Sequence, residues 1–137
     1  MAAPHDPLDI LVVEDEFLIR WAISRTLAAA GHHVTEASDA ASAVEMLRIH
    51  PTPDVVLLDY RLPDSHGLSL LSSVRALAPD SAVVMMTADQ TAETRRAVEL
   101  GVASVIEKPF DMSDVEPALV SAADMRPQVH GANGDPR

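Results

Sequence analysis

Residues 10–16 read Ile10-Leu11-Val12-Val13-Glu14-Asp15-Glu16: four apolar residues, then three acids. The apolar run is short, rich in β-branched side chains and lacks polar alternation, the pattern of a strand covered on both faces. The acids stand where that strand leaves the core. The arrangement recurs at Val55-Val56-Leu57-Leu58-Asp59. Two further apolar runs, Ala82–Met86 and Ser104–Ile106, end at Thr87 and close to Lys108-Pro109. A fifth, His33-Val34-Thr35-Glu36, is the most polar and is expected at a sheet edge.

Helical periodicity fills the intervals. Phe17–Ala30 repeats Ile19, Ala22, Ile23, Leu27 and Ala30 at three- and four-residue spacing, and Gly31 follows as a stop. Asp39–His50 places Ala43, Val44 and Leu47 on one face, before Pro51 and Pro53. Leu68–Ala78 carries Leu70, Leu71, Val74 and Leu77. Thr91–Leu100 carries Ala97, Val98 and Leu100, with Gly101 beyond it. Ser113–Met125 opens on Ser113-x-x-Glu116, the spacing of a capping box. Five β–α units in series imply an α/β fold: a flavodoxin-like (βα)5 doubly wound parallel sheet with strand order 2-1-3-4-5. The expected organisation is a flexible N-terminus (1–7), one domain (8–125) and a disordered tail (126–137).

Composition narrows the partners. The chain has 137 residues, 47% of them hydrophobic, and a net charge of −11. That is one domain's worth of sequence. The charge disfavours direct contact with nucleic acid or an anionic membrane surface. The absence of cysteine excludes disulfides, thiolate metal sites and a cysteine nucleophile. No apolar run reaches the length of a membrane span and no signal core opens the chain, so a cytoplasmic location is expected.

Ligands of such sheets bind at the carboxyl ends of the strands. Glu14, Asp15 and Asp59 gather there with the Thr87 hydroxyl and the Lys108 ammonium. Two like charges 4 Å apart repel by about 4 kcal/mol at an effective dielectric of 20. Three carboxylates at one rim therefore call for a cation, and Mg²⁺, with Mn²⁺ as a substitute, matches hard oxygen ligands beside a phosphate. Lys108 is the only lysine against nine arginines. Its ammonium suits a phosphoryl oxygen or a carboxylate, and Pro109 makes a cis peptide cheap. No glycine-rich phosphate cradle follows the first strand, and the six histidines form no Ser-His-Asp arrangement. His66, seven residues past Asp59, is read as a loop residue.

Together these residues resemble the response-regulator receiver domain of two-component signalling, over roughly Asp9 to Met125. The motifs are Glu14-Asp15, Asp59, the loop Asp59-Tyr60-Arg61-Leu62-Pro63-Asp64-Ser65-His66-Gly67, Thr87-Ala88 and Lys108-Pro109-Phe110. The resemblance implies that Asp59 accepts a phosphoryl group from a sensor histidine kinase or histidine phosphotransfer protein. It implies Mg²⁺ held by Glu14, Asp15, Asp59 and the backbone carbonyl of Arg61, with Thr87 and Lys108 on phosphoryl oxygens. Chemistry would be confined to self-phosphorylation from a phosphodonor and autodephosphorylation, with no other enzyme activity. The switch positions are Thr87, Val105 and Pro109. Val105 departs from the family, which has an aromatic there, so output is expected from the fourth helix and its preceding loop. Arg61 and Asp89 occupy positions that tune phosphoryl lifetime in the family. Phe17, Leu18 and Trp21, at the outer edge of the first helix, are expected to dock the phosphodonor.

Other readings remain open at this level. Gln90-Thr91 and Glu107–Asp111 are similar to receivers of nitrogen-type regulators, so the chain also reads as the receiver of a longer transcription regulator. A never-phosphorylated pseudo-receiver and a Mg²⁺-dependent phosphatase are weaker. The phosphatase lacks a second carboxylate two residues past the nucleophile, where Arg61 stands. A phosphorylation-dependent homodimer through the fourth helix and the last β–α unit would set Arg95 and Arg96 against Asp114 or Glu116 of another copy.

Overall fold

The computed structural model describes residues 6–50, 52–66, 68–88 and 92–125. The tail and all but Asp6 and Pro7 of the N-terminus lie outside them. Five parallel strands form the sheet: β1 Asp9–Val13, β2 His33–Ala37, β3 Val55–Asp59, β4 Ala82–Thr87 and β5 Ser104–Glu107. Their order is 2-1-3-4-5, as the alternation of strand and helix patterns requires. Among the described residues five α-helices connect and flank them: α1 Phe17–Ala29, α2 Ala40–Ile49, α3 Ser69–Leu77, α4 Ala92–Glu99 and α5 Val115–Met125. A two-residue antiparallel ribbon, Arg61–Leu62 against Ser65–His66, folds the loop after β3 back on itself.

The period of two along each strand divides the core into two layers. Leu11, Val13, Val56, Leu58, Val83 and Met85 face Ala43, Leu47, Leu71, Val74 and Ala97, beneath α2, α3 and α4. Ile10, Val12, Val55, Leu57, Val84 and Met86 face Ile23, Leu27, Leu119 and Ala122, beneath α1 and α5. Every residue of β3 and β4 is buried, whereas β2, at the edge, buries only Ala37. Gly31 and Gly101 sit past the ends of α1 and α4 with φ of 96° and 103°, a conformation that costs a residue with a Cβ.

Three readings of the sequence need correction. Ser113 and Glu116 do not form a capping box. A 3₁₀ turn, Met112–Asp114, precedes α5, and Asp111 caps it by accepting the Ser113 N–H (3.1 Å) and hydroxyl (2.9 Å). Glu116 instead accepts from His32 Nε2 at 2.9 Å. Val98 and Leu100 are 52% and 45% exposed, so α4 presents only Ala97 to the core among the described side chains of its expected apolar face. Ala30 likewise faces solvent beyond the end of α1. Short helices on a sheet bury a narrower stripe than their apolar periodicity suggests.

The start of α2 is tied down twice. Asp39 accepts from the Ser42 N–H at 2.7 Å, and the Ser42 hydroxyl and N–H hold its carboxyl below the ordinary value. Asp64, from the loop after β3, accepts from Ala40 and Ala41 at 2.7 and 3.0 Å. The loop that carries Asp59 is thereby fastened to a helix end that needs acceptors.

Leu57 is fully buried between α1 and α5. Leu57→Ala should lower the free energy of urea unfolding by about 2–5 kcal/mol with little change in denaturant slope. A loss within experimental error would contradict this account of the second core layer.

Candidate functional site

Parallel pairing continues one residue past the strand ends and sets the rim. The Glu14 N–H donates to the Ala37 carbonyl (3.0 Å), Tyr60 to Met86 (2.8 Å) and Lys108 to Thr87 (2.7 Å). Glu14, Asp59 and Lys108 are thus delivered by backbone geometry to neighbouring points on one edge. Arg20 of α1 braces the corner, donating from Nη1 to the Glu14 carbonyl and from Nε to Glu36, both at 2.9 Å.

Lys108 Nζ lies 3.0 Å from Glu14 Oε1 and 3.1 Å from Asp59 Oδ2. Asp15 joins them: Glu14, Asp15 and Asp59 offer carboxylate oxygens within 4.8 Å of one another. Glu14 is 1% exposed and Asp59 7%, while Asp15 faces solvent. The Glu16 N–H donates to Glu14 Oε2 (3.1 Å) and the Arg61 N–H to Asp59 Oδ1 (3.3 Å). Together with Arg61, Leu62 and Pro63 these residues line an open basin.

Burial pushes the Glu14 carboxyl up to about 7, with Asp59 adding to the rise and the Glu16 amide and Lys108 opposing it. For Lys108, burial alone would lower the ammonium, but Asp59 and Glu14 outweigh it and hold it above its ordinary value. One ammonium therefore faces a cluster of three carboxylates. All the donors on the basin are hard oxygens, one of them on a fully buried carboxylate. That set fits a small divalent cation and does not fit a soft one.

The other sequence-derived residues distribute as follows. Thr87 is buried one register step beyond Met86, the partner of Asp59. The Lys108–Pro109 peptide is cis. Val105 is half-buried and packs against the core layer beneath α2, α3 and α4. Phe17, Leu18 and Trp21 are exposed. His66 contributes backbone pairing to Arg61. Asp89 lies outside the described residues. Sequence reasoning missed Arg20, Asp64 and His32, whose Nδ1 accepts from the Leu8 N–H at 3.0 Å while Nε2 meets Glu116. Except for the Glu14 carbonyl, their partners lie 16 to 84 residues away, beyond the reach of local spacing.

Residues 10–120 match the response regulator receiver domain family. The chain belongs to that family. Among similar proteins is the probable transcriptional regulatory protein TcrX of Mycobacterium tuberculosis, 36% identical over 114 residues, which are 82% of this chain and 48% of that protein. NtrC of Escherichia coli, a DNA-binding transcriptional regulator, is 37% identical over 83% of this chain and 24% of its own length. This receiver thus spans about half of TcrX and a quarter of NtrC. Among solved structures, the receiver domain of the putative response regulator NarL from M. tuberculosis superimposes with a TM-score of 0.76 at 31% identity, covering 89% of this chain and all of that one. NtrX from Brucella abortus gives 0.79 at 33% identity over 87% of this chain and 27% of its own. Among the described residues no helix is long and apolar enough to cross a membrane.

The raised Glu14 pKa has a consequence for stability. The carboxyl is held near 7 in the folded receiver against 4.5 ordinarily. Between those values the native state binds more protons than the unfolded state, so stability falls as pH rises. With divalent ions chelated, Glu14's contribution should be fully present below about 4.5 and lost as pH passes about 7. Glu14→Gln should flatten that slope in denaturant unfolding. Parallel slopes in the two proteins would contradict the assignment.

Proposed function

We propose that this receiver accepts a phosphoryl group on Asp59 from a sensor histidine kinase or histidine phosphotransfer protein, and that the modification switches its binding to a downstream protein. The observation that carries the reading is the sole lysine bridging Glu14 and Asp59 at 3.0 and 3.1 Å. An Asp59 oxygen attacks phosphorus, the phosphorus–nitrogen bond to the donor imidazole breaks, and an acyl phosphate forms. The transferred group carries negative charge into an already acidic rim, so transfer depends on charge neutralisation and positioning rather than on a general base. Lys108 supplies one positive charge and can follow the developing phosphoryl oxygens on its flexible stem. Glu14, Asp15, Asp59 and the Arg61 carbonyl would hold Mg²⁺, which supplies further neutralisation of the transferring group. Thr87 is the hydroxyl partner for a phosphoryl oxygen.

The same site loses its phosphoryl group by water attack on phosphorus, with cleavage of the bond to Asp59. These two reactions are all the chemistry proposed. Arg61 and Asp89, of opposite charge, set the lifetime by obstructing that water. Output runs through Thr87, Val105 and Pro109. Val105 has no ring to rotate, so α4 and the loop before it respond to the phosphoryl group. Phe17, Leu18 and Trp21 receive the phosphodonor; Ile19 of the same helix lines a hollow with Lys108, Pro109, Phe110 and Met112. The shares of TcrX and NtrC that align favour a second reading of context: the receiver works as the input module of a longer transcription regulator.

Intact mass after incubation with Mg²⁺ and a small-molecule phosphodonor tests the reading. One phosphoryl group should be gained by the wild type, and none without Mg²⁺ or in Asp59→Asn. An unmodified wild type, or modification that survives Asp59→Asn, would contradict it. Decay of the modified protein should change rate in Arg61→Ala and Asp89→Ala, and unchanged decay in both would remove their role.

A further inference from the structure

The inner stripe of α1, Ile23 and Leu27 with Ile19 beside them, is committed to the core. Its outer stripe is not. Phe17, Leu18 and Trp21 are 62%, 70% and 50% exposed, and Arg25, Ala28 and Ala29 face solvent below them. Contiguous exposed apolar groups of this kind mark interaction sites, and aromatics are enriched in buried interfaces. The large side chains occupy one end of the helix and alanines the other.

That asymmetry is self-complementary. In a two-fold antiparallel pair with full overlap of the 13-residue helix Phe17–Ala29, Phe17 falls opposite Ala29 of the second copy, Leu18 opposite Ala28 and Trp21 opposite Arg25. Large residues then lie over small ones at both ends. At the centre each indole meets a guanidinium. Arg25 already sits over the Trp21 ring of its own chain, with Cζ 5.1 Å from the centroid, so the pairing needs only an exchange of equivalent contacts. Leu18, Trp21, Arg25 and Ala28 follow the 3-4-3 spacing of a helix–helix seam. Antiparallel dipoles add to the match.

We propose that two copies of this receiver pair through α1 in this antiparallel, two-fold arrangement. The contact is isologous and closes at the dimer. It rests on the helix alone. A consequence does rest on the proposed phosphoryl transfer: the same face receives the phosphodonor, so the pair is a resting form that must separate before transfer. Each copy carries −11, so added salt should strengthen the association by screening that repulsion, the opposite of a contact held by ion pairs.

Sedimentation equilibrium of the full chain tests the pairing without any phosphodonor. The wild type should form dimers in the micromolar to millimolar range, more tightly at high salt. Emission from Trp21, the only tryptophan, should shift to shorter wavelength on association. Ala28→Glu, at an exposed site far from the rim, should keep the circular dichroism of the wild type yet weaken association by about tenfold or more, as expected when a charge enters a helix seam. Arg25→Glu should also weaken it. A wild type that stays monomeric at millimolar concentration, or an Ala28→Glu protein that dimerises as well as wild type, would overturn the proposal. So would binding of a phosphodonor protein to α1 with no self-association. Phosphorylation of the monomeric variants by a small donor would still proceed, so failure of the pairing is distinguishable from failure of the phosphoryl reading.

Discussion

One ammonium stands between two carboxylates at the edge of the sheet, and the rest of the molecule is arranged to hold it there. Glu14 and Asp59 are buried at the floor of the basin, and Lys108 reaches both from the end of β5. Removing Lys108 would leave buried like charges facing each other, at a cost of several kcal/mol by Coulomb's law at moderate dielectric. A site with an excess of carboxylate oxygen over cation favours any reaction or ligand that brings positive charge, and it tolerates a phosphoryl group only when such charge is present. A divalent cation bound to the three carboxylates would relieve that imbalance.

The fold supplies the rigidity this requires. β3 and β4 are buried along their whole length and fix Asp59 between two core layers. Pairing beyond the strand ends locks Glu14, Tyr60 and Lys108. Asp64 ties the loop carrying Asp59 to the start of α2, and His32 ties the start of β1 to α5. By contrast, among the described side chains of α4 only Ala97 is buried. The helix exposes Val98, and Leu100 just past its end is exposed as well. An element held by few buried contacts is the one a change in charge can move.

Much of this was legible in residue order. Continuous apolar runs marked the buried strands, because side chains covered on both faces leave no polar alternation. Acids placed directly after two such runs marked the rim, because in a parallel sheet the carboxyl ends of the strands share one edge. The single lysine was informative because every other cation is arginine. What escaped was non-local. Ser113-x-x-Glu116 has the spacing of a capping box, yet Asp111 takes the serine and His32 takes the glutamate. Local spacing cannot reveal a partner 84 residues away. The clasp of Asp64 on α2 and the brace of Arg20 were hidden for the same reason. Val98 and Leu100 misled because periodicity reports which residues share a face, not whether that face is covered.

The most direct test is chemical. Borohydride reduces an acyl phosphate at its carbonyl carbon and leaves phosphate esters untouched. The protein would be incubated with Mg²⁺ and a small-molecule phosphodonor, reduced, digested and sequenced by tandem mass spectrometry. Conversion of position 59 to homoserine, at that position alone, is the result the account predicts. Homoserine at another aspartate, or phosphate retained on a serine or threonine with Asp59 intact, would contradict it.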